Sequence, residues 1–187
     1  MNRIGYAALF AALSFATLGA ATPVFAQAPV EVGGAPMFAT KNIVENAVNS
    51  KDHTTLVAAV KAAGLVETLQ SPGPFTVFAP VNKAFEKLPA GTVETLLKPE
   101  KKGDLTAVLT YHVVPGKLSA SELMSQVKAG GGKATLKTVQ GGAITVMLDG
   151  NKLWIVDAKG GKSSVTIGDV NQSNGVIHVV DSVLIPG

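Results

Sequence analysis

Three histidines, His53, His112 and His178, are the residues of this chain best suited by type to proton transfer or metal ligation. They stand far apart and share no metal-ligand spacing. His112 falls on an apolar helical face with Leu105, Val108 and Leu109, and His178 lies inside a β run. Both are expected as buried, hydrogen-bonded core residues rather than as ligands or bases. The acids Asp149, Asp157, Asp169 and Asp181 are spread over turns and strand ends, where holding a turn is the expected duty and a paired-carboxylate site is not. Gly161-Lys162-Ser163 matches the tail of a phosphate-binding loop. That loop needs a glycine at 156, where Val156 stands, and a helix after the serine, where a strand is expected. G-x-S-x-G, G-x-G-x-x-G and H-E-x-x-H are absent. The residues assemble no catalytic set, no cofactor site and no metal site, and a protein that is not an enzyme is expected.

The chain has 187 residues, 47% of them hydrophobic and 16% charged, with no cysteine. Such a composition excludes a disordered chain, a disulfide scaffold, a zinc-thiolate site, a cysteine nucleophile and a lipid-modified cysteine. One domain with a self-sufficient core is expected at this length. Residues 1–26 combine Arg3, an apolar run from Ile4 to Ala20 and small residues at Val24 and Ala26, the three parts of a secretory signal peptide. Cleavage is expected near Ala26, leaving a secreted or periplasmic protein without a stable membrane anchor. Arg3 is the only arginine, so cleavage lowers the formal net charge from +3 to +2. Sequence-specific nucleic-acid readers lean on arginine's planar fork, and no nucleic-acid partner is expected. With one tryptophan and two tyrosines there is no aromatic platform for carbohydrate, and Trp154, between Leu153 and Ile155, is expected in the core.

The elements that must position these residues divide the chain in two. Residues 27–36 hold two prolines and two glycines and are expected as a flexible lead-in to a single domain over 37–187. Up to about Gly130 the pattern is helix-rich: Ile43, Val44, Ala47 and Val48, then Leu56, Val57, Val60 and Ala63, have helical spacing. Phe75 to Ala79 reads as a buried strand stopped by Pro80. Asn82 and Thr92 are expected N-caps of short helices, and Pro115-Gly116 is expected to end the helix carrying His112. Ser119 to Glu122 fits a capping box. Beyond it, 134–139 and 143–148 read as a hairpin, Asp149-Gly150 turns into 153–156, and 165–170 and 176–184 follow around Asn174-Gly175. Helices first and antiparallel strands after make an α+β fold.

Three strings carry a resemblance. Thr76-Val77-Phe78-Ala79-Pro80-Val81-Asn82-Lys83-Ala84-Phe85 resembles the first signature of the fasciclin (FAS1) domain family. Leu109 to Gly116, with Tyr111-His112 at its centre, resembles that family's Tyr-His segment. Asn174-Gly175-Val176-Ile177-His178-Val179-Val180-Asp181, running on to Pro186, resembles its second signature. The resemblance covers about Met37 to Pro186 and implies a β-wedge or sandwich with several helices packed alongside. Thr76, Phe78, Pro80, Asn82, Asn174, Gly175 and His178 are expected in structural duty, with Asn174-Gly175 supplying positive φ where the last strand begins.

The resemblance also implies export and a part in cell adhesion or extracellular-matrix contact. An Asp-Ile pair and the Tyr-His segment are implicated in receptor binding by animal members. The matching positions, Asp169-Val170 and Tyr111-His112, are the candidate recognition surface. The expected partner is a cell-surface or matrix protein or glycan. A single domain gives little avidity, so homo-oligomerisation is a further expectation. The alternative is a carrier of an apolar small molecule, lipid or pigment, with Met37, Met124 and Met147 lining an adaptable pocket.

Overall fold

The computed structural model describes residues 28–187, and the expected signal peptide lies outside the described residues. An antiparallel hairpin opens the chain, β1 (Val30–Val32) and β2 (Ala35–Met37), joined by Gly33 and Gly34. This corrects the flexible lead-in expected up to residue 36. Val32, Ala35 and Met37 are buried, and the two glycines serve a tight turn at φ 59° and 72° rather than a tether.

The helix-rich part follows: α1 (Ile43–Ala47), α2 (Thr54–Ala63), α3 (Val66–Gln70), strand β3 (Phe75–Pro80), α4 (Asn82–Glu86), α5 (Thr92–Leu96) and α6 (Lys102–Tyr111). Then come β4 (Val113–Pro115), α7 (Ala120–Ala129), β5 (Lys133–Lys137), β6 (Ala143–Asp149), β7 (Lys152–Val156), β8 (Lys162–Gln172) and β9 (Gly175–Val180). The capping box expected at Ser119 and Glu122 opens α7, and a second one, Asn42 with Glu45, opens α1.

Two caps differ from expectation. Val81, not Asn82, is the N-cap of α4. Asn82 turns back to α2, a helix with no side-chain cap of its own. Its Oδ1 accepts from the Thr55 amide at 3.0 Å and its Nδ2 donates to the Lys51 carbonyl at 2.8 Å, so it caps that helix from 27 residues away in sequence. Thr92 is the first helical residue of α5, behind the left-handed Gly91, and caps nothing. Helix α6 also stops earlier than expected, at Tyr111, because Val113 to Pro115 is recruited as an edge strand on β3.

Seven strands form one sheet in the order β4-β3-β9-β8-β7-β6-β5. Only β3 and β9 pair in parallel; the other neighbours are antiparallel. Just past β5 the Val139 amide donates to the Val113 carbonyl of β4 at 2.8 Å, which brings the sheet close to closure. Strands β3 and β9 are covered on both faces, hence their largely apolar sequence, broken only by the buried polar Thr76 and His178. Two cores result. In the helical core, Leu56, Val60, Leu105 and Leu109 pack on Val77, Ile177 and Val179. In the wedge core, Leu123 and Val127 of α7 fill the space against Ile144, Val146 and Ile155. Irregular pairing of β8 between Val165 and Val170 carries the chain from one region to the other.

Candidate functional site

The signature residues converge on the place where β3, β9 and the irregular part of β8 meet the segment before α7. Thr76, fully buried, donates from Oγ1 to the Gly116 carbonyl at 2.7 Å and accepts from the Leu118 amide at 2.9 Å. His178 donates from Nε2 to the Leu118 carbonyl at 2.8 Å, and its Nδ1 accepts from the Asp169 amide at 3.3 Å. Phe78 stacks on the same imidazole, with ring centroids 5.7 Å apart. Asp169 is the only non-glycine among the described residues with positive φ, 57°. That conformation aims Oδ1 at the Ala120 amide, 2.7 Å away, the first orphan donor of α7. The strain at Asp169 thus has a local purpose: one carboxylate caps a helix 49 residues earlier in the chain.

The Tyr-His segment is equally occupied. Tyr111, with no exposed surface, donates to the Ala143 carbonyl at 2.7 Å and accepts from the Ala158 amide at 3.0 Å. It ties α6 to β6 and to the loop after β7. His112 donates from Nδ1 to the Val108 carbonyl at 2.7 Å and accepts at Nε2 from the Leu184 amide at 2.9 Å. Burial lowers its pKa to about 4, against the smaller opposing pulls of the Val108 carbonyl and Asp157. Burial likewise lowers His178, against the Leu118 carbonyl and Asp169. Neither ring has a nitrogen free for an outside molecule.

These placements correct the candidate recognition surface. Tyr111, His112 and Val170 are 0%, 2% and 1% exposed, and only Asp169 of the four reaches solvent, half-buried with Oδ1 committed to α7. A row of such residues in sequence reads equally well as a surface or as an interior; only their depth separates the two. Asn174 and Gly175 also differ from expectation, since neither has positive φ. Asn174 is buried and joins three segments: its Oδ1 accepts from the Ile43 amide, and its Nδ2 donates to the Leu69 and Ser71 carbonyls. Gly175 is required by proximity, because a Cβ there would collide with the Phe75 carbonyl of the parallel partner strand. Pro80, buried, ends β3 as expected.

The acids hold turns and strand ends. Asp157 accepts from the amides of Lys159, Gly161 and Ile185. Asp181 accepts from the Ser164 amide and hydroxyl; burial pushes its pKa up, but these bonds and nearby Lys87 outweigh it and hold the carboxyl below its ordinary value. Among the described residues no three His, Asp or Glu side chains group to hold a metal ion. Trp154, expected in the core, is half-exposed between buried Leu153 and Ile155, because strand alternation turns it outward beneath the Lys152 ammonium, 5.4 Å from the ring.

One feature escaped the sequence reading. An apolar cavity of about 70 Å³ lies between the helices and β3, β4 and β9. Its walls include Met37, Val44, Val60, Val77, Ile177 and, among a few polar residues, His53. Of the three methionines expected at a pocket, Met37 lines this one. Met124 borders an open recess beside α7, and Met147 sits opposite Trp154 in the β6–β7 ladder. The cavity's residues come from stretches scattered between Val32 and Ile177, and no local spacing announces it.

The fasciclin domain model matches residues 51–186. Protein sll1483 of Synechocystis sp. is 45% identical over 185 residues, spanning 95% of this chain and 94% of that protein. Immunogenic protein MPB70 of Mycobacterium bovis is 39% identical over 75% of this chain and 66% of its own length. Cell surface glycolipoprotein MPB83 of the same species is 32% identical over 86% of this chain and 68% of its own. Among solved structures, a FAS1 domain pair from the insect cell adhesion molecule fasciclin I superposes with a TM-score of 0.69 at 20% identity, over 78% of this chain and about half of that one. Among the described residues no helix is long and apolar enough to cross a membrane.

Proposed function

Taking as premise that this chain belongs to the fasciclin domain family, we propose that it is an exported, non-enzymatic interaction module that binds a protein or glycan of the cell surface or matrix. The observation that carries this reading is the similarity to a cell surface glycolipoprotein over 86% of the chain. It is supported by the occupation of both ring nitrogens of His112 and His178 within the fold. Contact is made by the outer surface, and the signature residues act by holding that surface in shape. The test is a pull-down with purified protein against cells, matrix glycans and envelope fractions of its host. Saturable retention by one of these is expected, and no retention by any of them overturns the reading.

A second reading, carriage of an apolar small molecule, is favoured by one observation: the apolar cavity beside His53. Apolar material released by organic extraction of protein purified from its host is the expected result. Clean, unliganded protein from that source counts against it.

A further inference from the structure

Arginine is absent from residues 28–187, so lysine sets the positive charge there, and it is unevenly placed. Residues 28–116 carry eight lysines against eight acids, whereas residues 117–187 carry seven against five. The chain from Lys117 on therefore holds the whole formal excess. Four of its five acids are already bound to backbone amides: Glu122 in the capping box of α7, Asp157 and Asp181 in their turns, and Asp169 on α7. The fifth, Asp149, ends β6.

Strand register gathers the excess on one face. Ile144 and Val146 of β6 and Leu153 and Ile155 of β7 fill the wedge core, so the alternate positions point away from it. One outward row runs Lys133, Met147, Trp154 across β5, β6 and β7, and the next ends on Lys162 of β8. Lys137 and Lys152 complete the frame. Met147, Trp154 and Val156 are half-buried and form an apolar strip, and the four lysines around it are exposed. The ion pairs among the described residues are Lys87 with Asp181 and Lys101 with Asp104, so none of the four lysines is neutralised by a carboxylate. Like charges gathered on one face attract an anionic partner. Lys133 and Lys162 stand three strand spacings apart, about 14 Å, which is too far to share one small anion.

Resting on the reading that this chain binds a surface or matrix partner, we propose that the outer face of β5, β6, β7 and β8 binds an acidic polysaccharide. The ammonium groups of Lys133, Lys137, Lys152 and Lys162 meet its carboxylates or sulfates, and a sugar ring packs its apolar C–H face on Trp154. A lysine ammonium is a compact charge that suits anionic groups spaced along a polymer, without the planar fork that phosphate readers use. An indole ring joins a flat apolar surface to a polar edge, which matches a sugar. Strands β6 and β7, at the centre of the face, have neighbours on both sides, so no strand edge is open there for a peptide to extend.

Trp154 is the only tryptophan, so intrinsic tryptophan fluorescence reports on this face alone. The purified protein is titrated with alginate and with dextran sulfate, which carry carboxylates and sulfates, and with neutral dextran. At least one of the two acidic glycans is expected to shift the emission saturably, with affinity falling about tenfold from about 50 to about 200 mM salt, and dextran is expected to leave it unchanged. Lys133→Gln with Lys162→Gln is expected to weaken binding about tenfold. Lys83→Gln with Lys98→Gln, the same change of charge at exposed positions on the helical side, is expected to alter it less than about twofold. Equal losses in the two double variants would make net charge the determinant and overturn the face. Polyglutamate or vesicles of anionic phospholipid bound as tightly as the glycans would overturn the polysaccharide as occupant. Neither acidic glycan bound, while an envelope fraction still retains the protein, overturns this inference and leaves the proposed function in place. No retention by any of them overturns both.

Discussion

The wedge core and the helical core are built from the same kinds of residue, yet they treat buried polarity in opposite ways. Around the wedge, buried polar side chains tie together segments that are distant in sequence. Tyr111 bridges Ala143 and Ala158, His178 holds Leu118, and His112 reaches Leu184. The helical core tolerates both a cavity and, on His53, the one buried side-chain nitrogen among the described residues without a hydrogen-bond partner. A close-packed interior with few voids is the norm, so the wedge is ordinary and the helical side is the exception. The family's signatures supply most of the wedge's polar ties, whereas the cavity is shared between signature residues such as Val77 and Ile177 and helical residues such as Val44 and Val60 that lie outside every signature.

If that contrast holds, the largest loss comes from truncating the wedge. Phe78→Ala removes a fully buried ring stacked on His178 and is expected to cost about 3–5 kcal/mol, read by urea unfolding. A cost below about 1 kcal/mol would mean that the wedge is as loose as the helical side.

Acid is the next lever. Folded His112 takes its proton only near pH 4, whereas the unfolded chain takes it near 6.5. Lowering the pH through that window favours the unfolded chain, and His178 and His53, both also lowered, act in the same direction. His112 alone is expected to remove about 3 kcal/mol of stability between pH 6.5 and 4. Stability measured across this range with His112→Gln beside the unmodified chain isolates the contribution, and parallel curves for the two proteins would contradict it.

A smaller effect is expected from Tyr111→Phe, which keeps the ring and strands the Ala143 carbonyl and the Ala158 amide. A cost of about 2 kcal/mol follows, measured by thermal or urea unfolding. His53→Leu should show the smallest effect, within about 1 kcal/mol of the unmodified chain, because the orphan nitrogen leaves with the ring while only the Ser50 bond is lost. A loss as large as that of Tyr111→Phe would erase the distinction between the two cores.

Much of this architecture was legible in the sequence, for physical reasons that differ by element. Helices α2 and α6 announce themselves by apolar spacing, α7 by its Ser119–Glu122 box, and β6 by the alternation of Ile144, Val146 and Leu148. What failed depended on contacts between distant segments. Asn82 looks like a local cap because caps are usually local, but its partners lie at Lys51 and Thr55. Asn174-Gly175 looks like a positive-φ turn, yet the glycine is needed for the approach of Phe75. The candidate recognition surface was the largest miss. Tyr111, His112 and Val170 are where the resemblance placed them in sequence, and depth in the fold, which no spacing encodes, puts them inside. The cavity was invisible for the same reason.

The proposed function leaves the signature residues to hold the scaffold and gives binding to the outer surface. The most direct test is saturation binding of Tyr111→Phe and of the unmodified chain to the envelope fraction that retains the latter, at a temperature where unfolding curves show both fully folded. The same affinity for both, despite the lower stability of the variant, is the predicted result. A folded Tyr111→Phe that no longer binds would contradict the claim and place Tyr111 in the recognition surface.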